Sequence, residues 1–294
     1  MPDRFIIIDQ QRGSGSLQIP IAHLFAEEKS DAAFALNLSC ALDNPVLDIM
    51  PSGHINTESI MLSEGQAYPG LEAHYLPLCD GRLIDVYFRT SNLMEGVGFL
   101  VDGTGIKDKK CVVVHHKNGV SEVFEFQKLH DDVRLYRGLR ARNVPGYGVV
   151  MSESIYLSRY VLPSGRSLKF DWVHCDTYPR LAAIHDDHGC LFKATWSWVD
   201  NQPELEQLIL FPESDEQVTY ICKRAGTAVT LEVTGAGVLG TTVYRLDCEG
   251  GKLNHFAIDS QHSEAGVEAS TYSESLTYDK EKVSQMPSLP VHFT

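Results

Sequence analysis

Apolar and polar residues alternate with a period of two along much of the chain, most clearly between Tyr160 and Trp196. Within this stretch, residues 168–172 alternate as expected for a strand with one buried face. Residues 163–165 (Pro-Ser-Gly) and 186–189 (Asp-Asp-His-Gly) have compositions typical of tight turns, in which Pro presets φ and Gly accepts positive φ. The pattern predicts short antiparallel strands joined by turns.

Two further hairpins are predicted upstream of this stretch. Asp80-Gly81 and Asn118-Gly119 each lie between two apolar runs, and such pairs favour short hairpin turns because both residues tolerate positive φ. The strand before Asn118 contains His115-His116. Neighbouring strand residues point to opposite faces, so we expect one of these two rings to be buried and the other exposed.

Short strands also account for the rest of the chain. After Trp196, apolar runs recur about every ten residues between acidic, Pro or Gly turns, which is typical of all-β domains. Residues 21–29 have helical spacing, and one brief helix is expected there. We predict an all-β protein with N-terminal strands in 1–45, a hairpin region in 46–150 and a sheet region in 151–294, forming one continuous architecture.

Composition narrows the possible partners and compartments. The net charge of −14 argues against nucleic acid and anionic membrane surfaces, which both require a basic face. The seven cysteines are scattered and never spaced as C-x-x-C, which favours reduced thiols in a cytoplasm over a disulfide framework. No stretch approaches the roughly 18 apolar residues of a membrane span, and the first residues lack a signal peptide's apolar run. We therefore expect cytoplasmic synthesis.

The stretch from His185 to His188 is the main candidate for metal chemistry, because two imidazoles and two carboxylates lie within four residues. The candidate ligands are His185, Asp187 and His188. However, neighbouring side chains of a strand cannot all face one ion. Asp-Asp-x-Gly is also ordinary turn chemistry, in which carboxylates accept hydrogen bonds from backbone amides. We favour the turn and predict no metal and no cofactor.

Other chemical motifs have structural explanations. Residues 174–176 (His-Cys-Asp) have the types of a catalytic triad, but adjacent residues cannot assemble its geometry. The G-x-G-x-x-G match at 235–240 lies between strand-like runs and not before a helix, so a hairpin is predicted. The four arginines within 134–142 are interpreted as a solvated charged face or as partners for nearby acids. No catalytic residue is assigned.

Ordered strings along the chain resemble the region that precedes the YD repeats in bacterial RHS proteins. Residues 162–172 and 179–189 are similar to its G-R-x-L-x-L-x-W and R-L-x-x-I-x-D-D-x-G strings, and residues 116–123 to the preceding H-K-x-G-x-x-E hairpin. Weaker matches, in the same order, cover most of the chain. The residues that carry the central motif are Pro163, Gly165, Arg166, Leu168, Phe170, Trp172, Arg180, Leu181, Ile184, Asp186, Asp187 and Gly189.

The resemblance implies a large curved antiparallel sheet that forms part of a hollow shell around a toxin domain, without chemistry of its own. Its implied partners are the remaining shell or toxin domain and a type VI secretion spike or Tc-type complex, which would deliver the protein by a non-classical route. YD repeats and the D-P-x-G-L autoproteolysis motif are absent from the sequence. The chain is thus expected to be a fragment, a split-gene product or a degenerate relative.

Two functions from other classes remain open. A sugar-acting, epimerase-like enzyme on a large β-sandwich would need a His/Glu acid–base pair facing one cleft. A carbohydrate-binding module would use Trp172, Trp196 and Trp198 as a platform for sugar rings, whereas core packing is the simpler explanation of these residues.

Overall fold

Every regular element in the described part of the chain is a β-strand. The computed structural model describes residues 5–9, 14–26, 33–50, 54–62, 67–69, 74–77, 83–86, 93–96, 99–102, 111–128, 147–173, 180–199, 202–238, 240–261, 270–279 and 282–285. The prediction of an all-β protein is therefore confirmed. No helix in these ranges is long and apolar enough to cross a membrane.

The first four strands form a small antiparallel sheet in the order β1-β2-β3-β4. Its strands are β1 (Ile6–Asp9), β2 (Ser14–Ala26), β3 (Ala33–Ala41) and β4 (Asn44–Met50).

The brief helix predicted at 21–29 is wrong over its described residues, because β2 extends as far as Ala26. Register shifts against β3 occur between Pro20 and Ala22 and between His23 and Phe25. These bulges break the two-residue alternation, so that Leu17 and Leu24 are both buried although seven positions apart. Bulged strands thus mimic helical spacing in sequence. Residues 27–29 lie outside the described residues.

A much larger antiparallel sheet follows, and its main path runs in chain order from β9 to β22. These strands are β9 (Leu93–Gly96), β10 (Phe99–Asp102), β11 (Cys111–His116), β12 (Ser121–Lys128), β13 (Tyr147–Val161), β14 (Ser167–Val173), β15 (Arg180–His185), β16 (Cys190–Val199), β17 (Gln202–Leu210), β18 (Val218–Ala225), β19 (Ala228–Gly235), β20 (Thr241–Glu249), β21 (Lys252–Gln261) and β22 (Ser270–Ser275).

Shorter strands complete the described architecture. The long strand β13 also pairs with β5 (His54–Leu62), which pairs with β6 (Ala67–Pro69). The strands β7 (His74–Pro77) and β8 (Leu83–Val86) pair as predicted around Asp80-Gly81, although residues 78–82 lie outside the described ranges. A last pair joins β23 (Thr277–Asp279) to β24 (Lys282–Gln285). Within the described ranges the large sheet stays open, since β9 and β22 end its path.

The small sheet packs on one face of the large sheet, and one hydrophobic core fills the space between them. The Phe34 ring on β3 lies 5.0 Å from the Tyr160 ring and 5.4 Å from the Phe170 ring. Near the other end of the sheet, the Phe5 ring lies 5.6 Å from the Phe256 ring. Burial alternates along the large sheet accordingly, with Leu168 and Phe170 inside and their polar neighbours outside.

Candidate functional site

The motif residues lie in β13 to β16, where two consecutive hairpins repeat each other with a period of 24 residues. Leu157 and Leu181 are 24 residues apart in the sequence, and so are Trp172 and Trp196. Tyr160 is opposite Leu168 in the first hairpin, and the residues 24 positions later, Ile184 and Phe192, are opposite each other in the second. The sequence alternation predicted these strands; the repeat itself was not predicted.

The pairing of each hairpin with the strand that follows it also repeats. Trp172 is opposite Leu181 after a register shift that skips Ala182 of β15, and Trp196 is opposite Leu205 after an equivalent shift that skips Glu206 of β17. Each bulge therefore lies on the strand that pairs with the tryptophan strand. The two indoles thus have equivalent positions in the sheet.

Both indoles are attached to a neighbouring strand by the same hydrogen bond. Trp172 Nε1 donates to the carbonyl oxygen of Leu157 at 2.9 Å, and Trp196 Nε1 donates to that of Leu181 at 2.9 Å. Both rings pack against the core, whereas Trp198 is 37% exposed. The three tryptophans of the proposed sugar platform thus have different environments, and the indole N–H groups of Trp172 and Trp196 are hydrogen-bonded within the sheet.

The two turns of this region use the chemistry predicted for them. Gly165 has φ +87°, and Leu162 N donates to Arg166 O across the first turn at 2.9 Å. In the second turn, one oxygen of Asp186 accepts from the amides of His188 at 2.7 Å and Gly189 at 3.0 Å. The interpretation of this segment as a turn is confirmed by these bonds.

The candidate metal ligands have separate partners. His185 Nε2 lies 2.9 Å from an Asp171 carboxylate oxygen, and Asp187 lies 3.7 Å from the Lys169 ammonium on the exposed surface. His188 is exposed in the turn. Across the described ranges, no group of three or more His, Cys, Asp or Glu side chains is arranged to hold a metal ion.

Arg180 connects the repeated hairpins to the small sheet. Its guanidinium bonds to the Asp48 carboxylate on β4 and lies 5.6 Å from the centre of the Trp196 ring. The Arg180 side chain is mostly buried, so this ion pair and cation–π contact are shielded from solvent. Arg166, by contrast, is exposed and lies 3.7 Å from Asp186.

The hairpin of β11 and β12 contains a cross-strand pair equivalent to one in each repeated hairpin, but it buries a charged residue there. Measured from the turn glycine, the pair Val114 and Glu122 corresponds to the pair Tyr160 and Leu168. Glu122 is only 1% exposed, and one of its carboxylate oxygens lies 2.9 Å from Nε2 of His116. The hairpin predicted at Asn118-Gly119 is confirmed, and Gly119 has φ +87°.

The buried His116–Glu122 pair was missed as a unit by sequence reasoning. The expectation that one ring of His115-His116 is buried and the other exposed is confirmed, with His116 the more buried. The signal for Glu122 was present in the H-K-x-G-x-x-E string, whose ends are His116 and Glu122. Strand alternation places both residues on the inner face once the turn is fixed at Gly119.

Four of the described cysteines have a raised pKa. Burial raises the pKa of Cys40 to about 12 and that of Cys222 to about 11, and burial is also the main cause of the raised pKa of Cys190 and of Cys248. A raised pKa lowers the fraction of reactive thiolate. Residues 174–176 and 134–142, which were interpreted from sequence, lie outside the described residues.

The G-x-G-x-x-G segment joins β19 to β20 without a helix, as predicted. Gly235 has φ +132°, and a Cβ at this position would lie 2.3 Å from the Gln217 carbonyl oxygen. The first glycine is therefore required by a close approach of two backbones and not by a phosphate. The sequence of the chain matches no family model and no curated protein.

Proposed function

We propose that this chain is a structural, non-enzymatic segment of an RHS-type β-shell that encloses or chaperones a toxin domain. The observation that supports the proposal is the run of antiparallel hairpins in which the resembling residues lie. Trp172 donates a hydrogen bond to Leu157 on β13, and Leu181 accepts one from Trp196 on β16, so two motif residues connect adjacent strands. Asp186 of the motif accepts hydrogen bonds from two backbone amides in the second turn. These residues maintain a wall, which is the role that the resemblance implies for them.

The proposed partner is the remainder of the shell or the toxin domain, in the same or another chain. Delivery by a type VI spike or a Tc-type complex after cytoplasmic synthesis belongs to the same proposal. The strand β22 ends the main path of the large sheet, and its described partner is β21. A terminal strand can pair with a further strand through its free backbone groups.

Co-purification tests this proposal. The chain would be co-expressed with an RHS segment containing YD repeats and a toxin domain, taken from the neighbouring genes. We expect a stable complex on size-exclusion chromatography. Ser273→Lys places a charge on β22 and should weaken the complex, whereas Thr195→Lys changes an exposed position inside the sheet and should not. A monodisperse monomer with no affinity for the segment would contradict the proposal.

Enzymatic and sugar-binding functions are tested with the same protein. His116 and Glu122 are a His/Glu pair, but both lie on the inner face of the sheet, where Glu122 is opposite Val114 on one side and Tyr160 on the other. We expect no mutarotation of simple sugars by the purified chain. Catalysis that is lost in Glu122→Gln would favour the epimerase-like alternative instead. Glycan binding that is lost in Trp198→Ala, with Trp172→Ala as the second variant, would favour the carbohydrate-binding module.

A further inference from the structure

Two cysteines from different sheets pack at the hydrophobic core beside one corner, where Leu42 and Leu253 are in backbone contact. Cys40 lies on β3 of the small sheet and is 3% exposed. Cys248 lies on β20 of the large sheet and packs, partly buried, against the same core. Both are free thiols. Because they lie in different sheets, a disulfide bond between them would join the two layers of the protein.

The two sheets approach each other closely at this corner. Packed sheets are usually about 10 Å apart. Here, however, Leu253 N on β21 donates a hydrogen bond to Leu42 O, which follows β3, at 2.8 Å. The hydroxyl of Tyr278 lies 3.3 Å from Leu42 O and 2.5 Å from Leu253 O. The layers are therefore in backbone contact, and the gap that a disulfide must cross is smaller than the usual spacing.

Each cysteine is next to this contact along its own sheet. Cys40 is two residues before Leu42, and the side chains of both are buried. Cys248 is directly opposite Leu253 in the ladder of β20 and β21. The pKa of Cys40 is raised first by burial and second by the charge that Cys248 carries as a thiolate. An electrostatic effect of one thiol on the other agrees with the backbone contacts.

We propose that Cys40 and Cys248 are a redox-sensitive pair that closes into a disulfide between the two sheets in an oxidising environment. An inter-sheet disulfide has the same role in immunoglobulin domains. The oxidant is a small disulfide such as oxidised glutathione. The more accessible Cys248 thiolate attacks one of its sulfurs, releases one glutathione thiolate and forms a mixed disulfide. The Cys40 thiolate then attacks the Cys248 sulfur and releases the second glutathione, so both protein thiols lose their protons.

The proposed function supplies only the setting of this step. A protein that is made in a reducing cytoplasm and delivered outside it passes from conditions that keep thiols reduced to conditions that favour disulfides. The raised pKa of Cys40 slows its reaction during synthesis, because the thiolate is the attacking species. Closure after delivery would hold the small sheet on the large sheet.

Peptide mapping of the oxidised protein tests the proposal. The purified full chain is incubated with oxidised glutathione at pH 8, its remaining thiols are alkylated, and it is digested without reduction. We expect one peptide pair linked through Cys40 and Cys248, lighter by two hydrogen atoms than the separate thiol peptides. The oxidised protein should also unfold at a higher urea concentration, and dithiothreitol should reverse that shift.

Matched variants decide which thiols are responsible. Cys222→Ala removes another partly buried thiol of the large sheet and should keep both the link and the urea shift. Cys248→Ala should lose both. The proposal is overturned if Cys40 is recovered as a free thiol, or linked to another cysteine, while other thiols have reacted. This map uses the wild-type chain, so it remains decisive if a variant fails to fold.

The outcome is also independent of the shell proposal. The disulfide forms within one chain, without a toxin or shell partner. If the link forms and the chain does not bind a shell segment, the proposed function fails and the redox pair stands. If the chain binds the segment and no disulfide forms, the redox pair fails and the proposed function stands.

Discussion

The hairpin of β11 and β12 and the two repeated hairpins of β13 to β16 place different chemistry at the same buried position. The repeated hairpins have Leu168 and Phe192 there, both fully buried. The hairpin of β11 and β12 has Glu122 there, which is also buried, with Nε2 of His116 at 2.9 Å from its carboxylate. In all three hairpins this residue lies three positions after the turn glycine and is paired with the residue five positions before that glycine. The backbone arrangement of a hairpin therefore does not require an apolar residue at this position.

The difference shows that two kinds of interaction can support one geometry. Leu168 and Phe192 stabilise their hairpins by removing apolar surface from water. Glu122 loses hydration on burial, and its hydrogen bond to His116 offsets part of that loss. Buried pairs of this kind often add little stability compared with well-packed apolar residues, but they are costly to break. Substitutions at both kinds of position measure this contrast.

The largest expected effect is in the repeated hairpins. Phe192→Ala should lower the free energy of unfolding by about 3–5 kcal/mol, because it removes a ring from a closely packed core. Leu168→Ala, at the equivalent position, should cost about 2–5 kcal/mol. Urea denaturation followed by tryptophan fluorescence measures both. Losses below about 1 kcal/mol would mean that the core at these positions is not closely packed.

In the hairpin of β11 and β12, Glu122→Ala should lower the free energy of unfolding by about 3 kcal/mol, because the buried His116 loses the carboxylate of Glu122 as a partner. The double variant His116→Leu with Glu122→Leu copies the residues Leu162 and Leu168 of the first repeat. It should recover most or all of the loss, as measured by the same urea titration. A double variant less stable than Glu122→Ala would show that the polar pair is essential to this hairpin.

Smaller effects are expected from the indole hydrogen bonds. Trp196→Phe keeps most of the ring and removes the bond to Leu181, so it should cost about 1 kcal/mol plus the lost contacts of the larger ring. Trp172→Phe removes the equivalent bond and should cost a similar amount. Thermal unfolding of the two variants compares the hairpins directly. Unequal shifts would indicate that the two units are energetically different despite their common register.

The smallest expected effect is in the second turn. Asp186→Ala removes the acceptor for two backbone amides, and we expect a loss of about 0.5–1.5 kcal/mol because the site is close to solvent. Ser164→Ala, in the turn of the first repeat, serves as the control and should change the urea midpoint less. A larger effect of Ser164→Ala would reverse the assignment of Asp186 as the main side-chain acceptor of these turns.

Local sequence patterns were sufficient to predict the hairpins. Two-residue alternation indicated β14 and β16, and Asn118-Gly119 indicated the turn between β11 and β12, because strand faces and turn conformations depend on neighbouring residues. The same rule failed in β2, where a bulge at Ile21 allows Leu24, seven positions after Leu17, to be buried as well. A bulge depends on the partner strand, so its position cannot be derived from one strand alone.

Contacts between the sheets could not be predicted for a related reason. The Phe34 and Tyr160 rings, and the Asp48 and Arg180 side chains, meet only when the small sheet packs on the large one. Alternation predicts which apolar residues of a strand are buried, but it does not identify the residues that they contact in the other sheet. The burial of Glu122 was missed because a carboxylate in a strand is ordinarily placed on the solvent face.

The 24-residue period of β13 to β16 determines how the large sheet can vary in width. One unit contains two strands, so inserting or deleting a whole unit preserves the direction of the chain and the side to which its apolar residues point. A single added strand would reverse that direction, and a shift of one residue would turn the apolar side chains towards solvent. Duplication of complete units therefore offers a graded series of sheet widths, each compatible with the same interior.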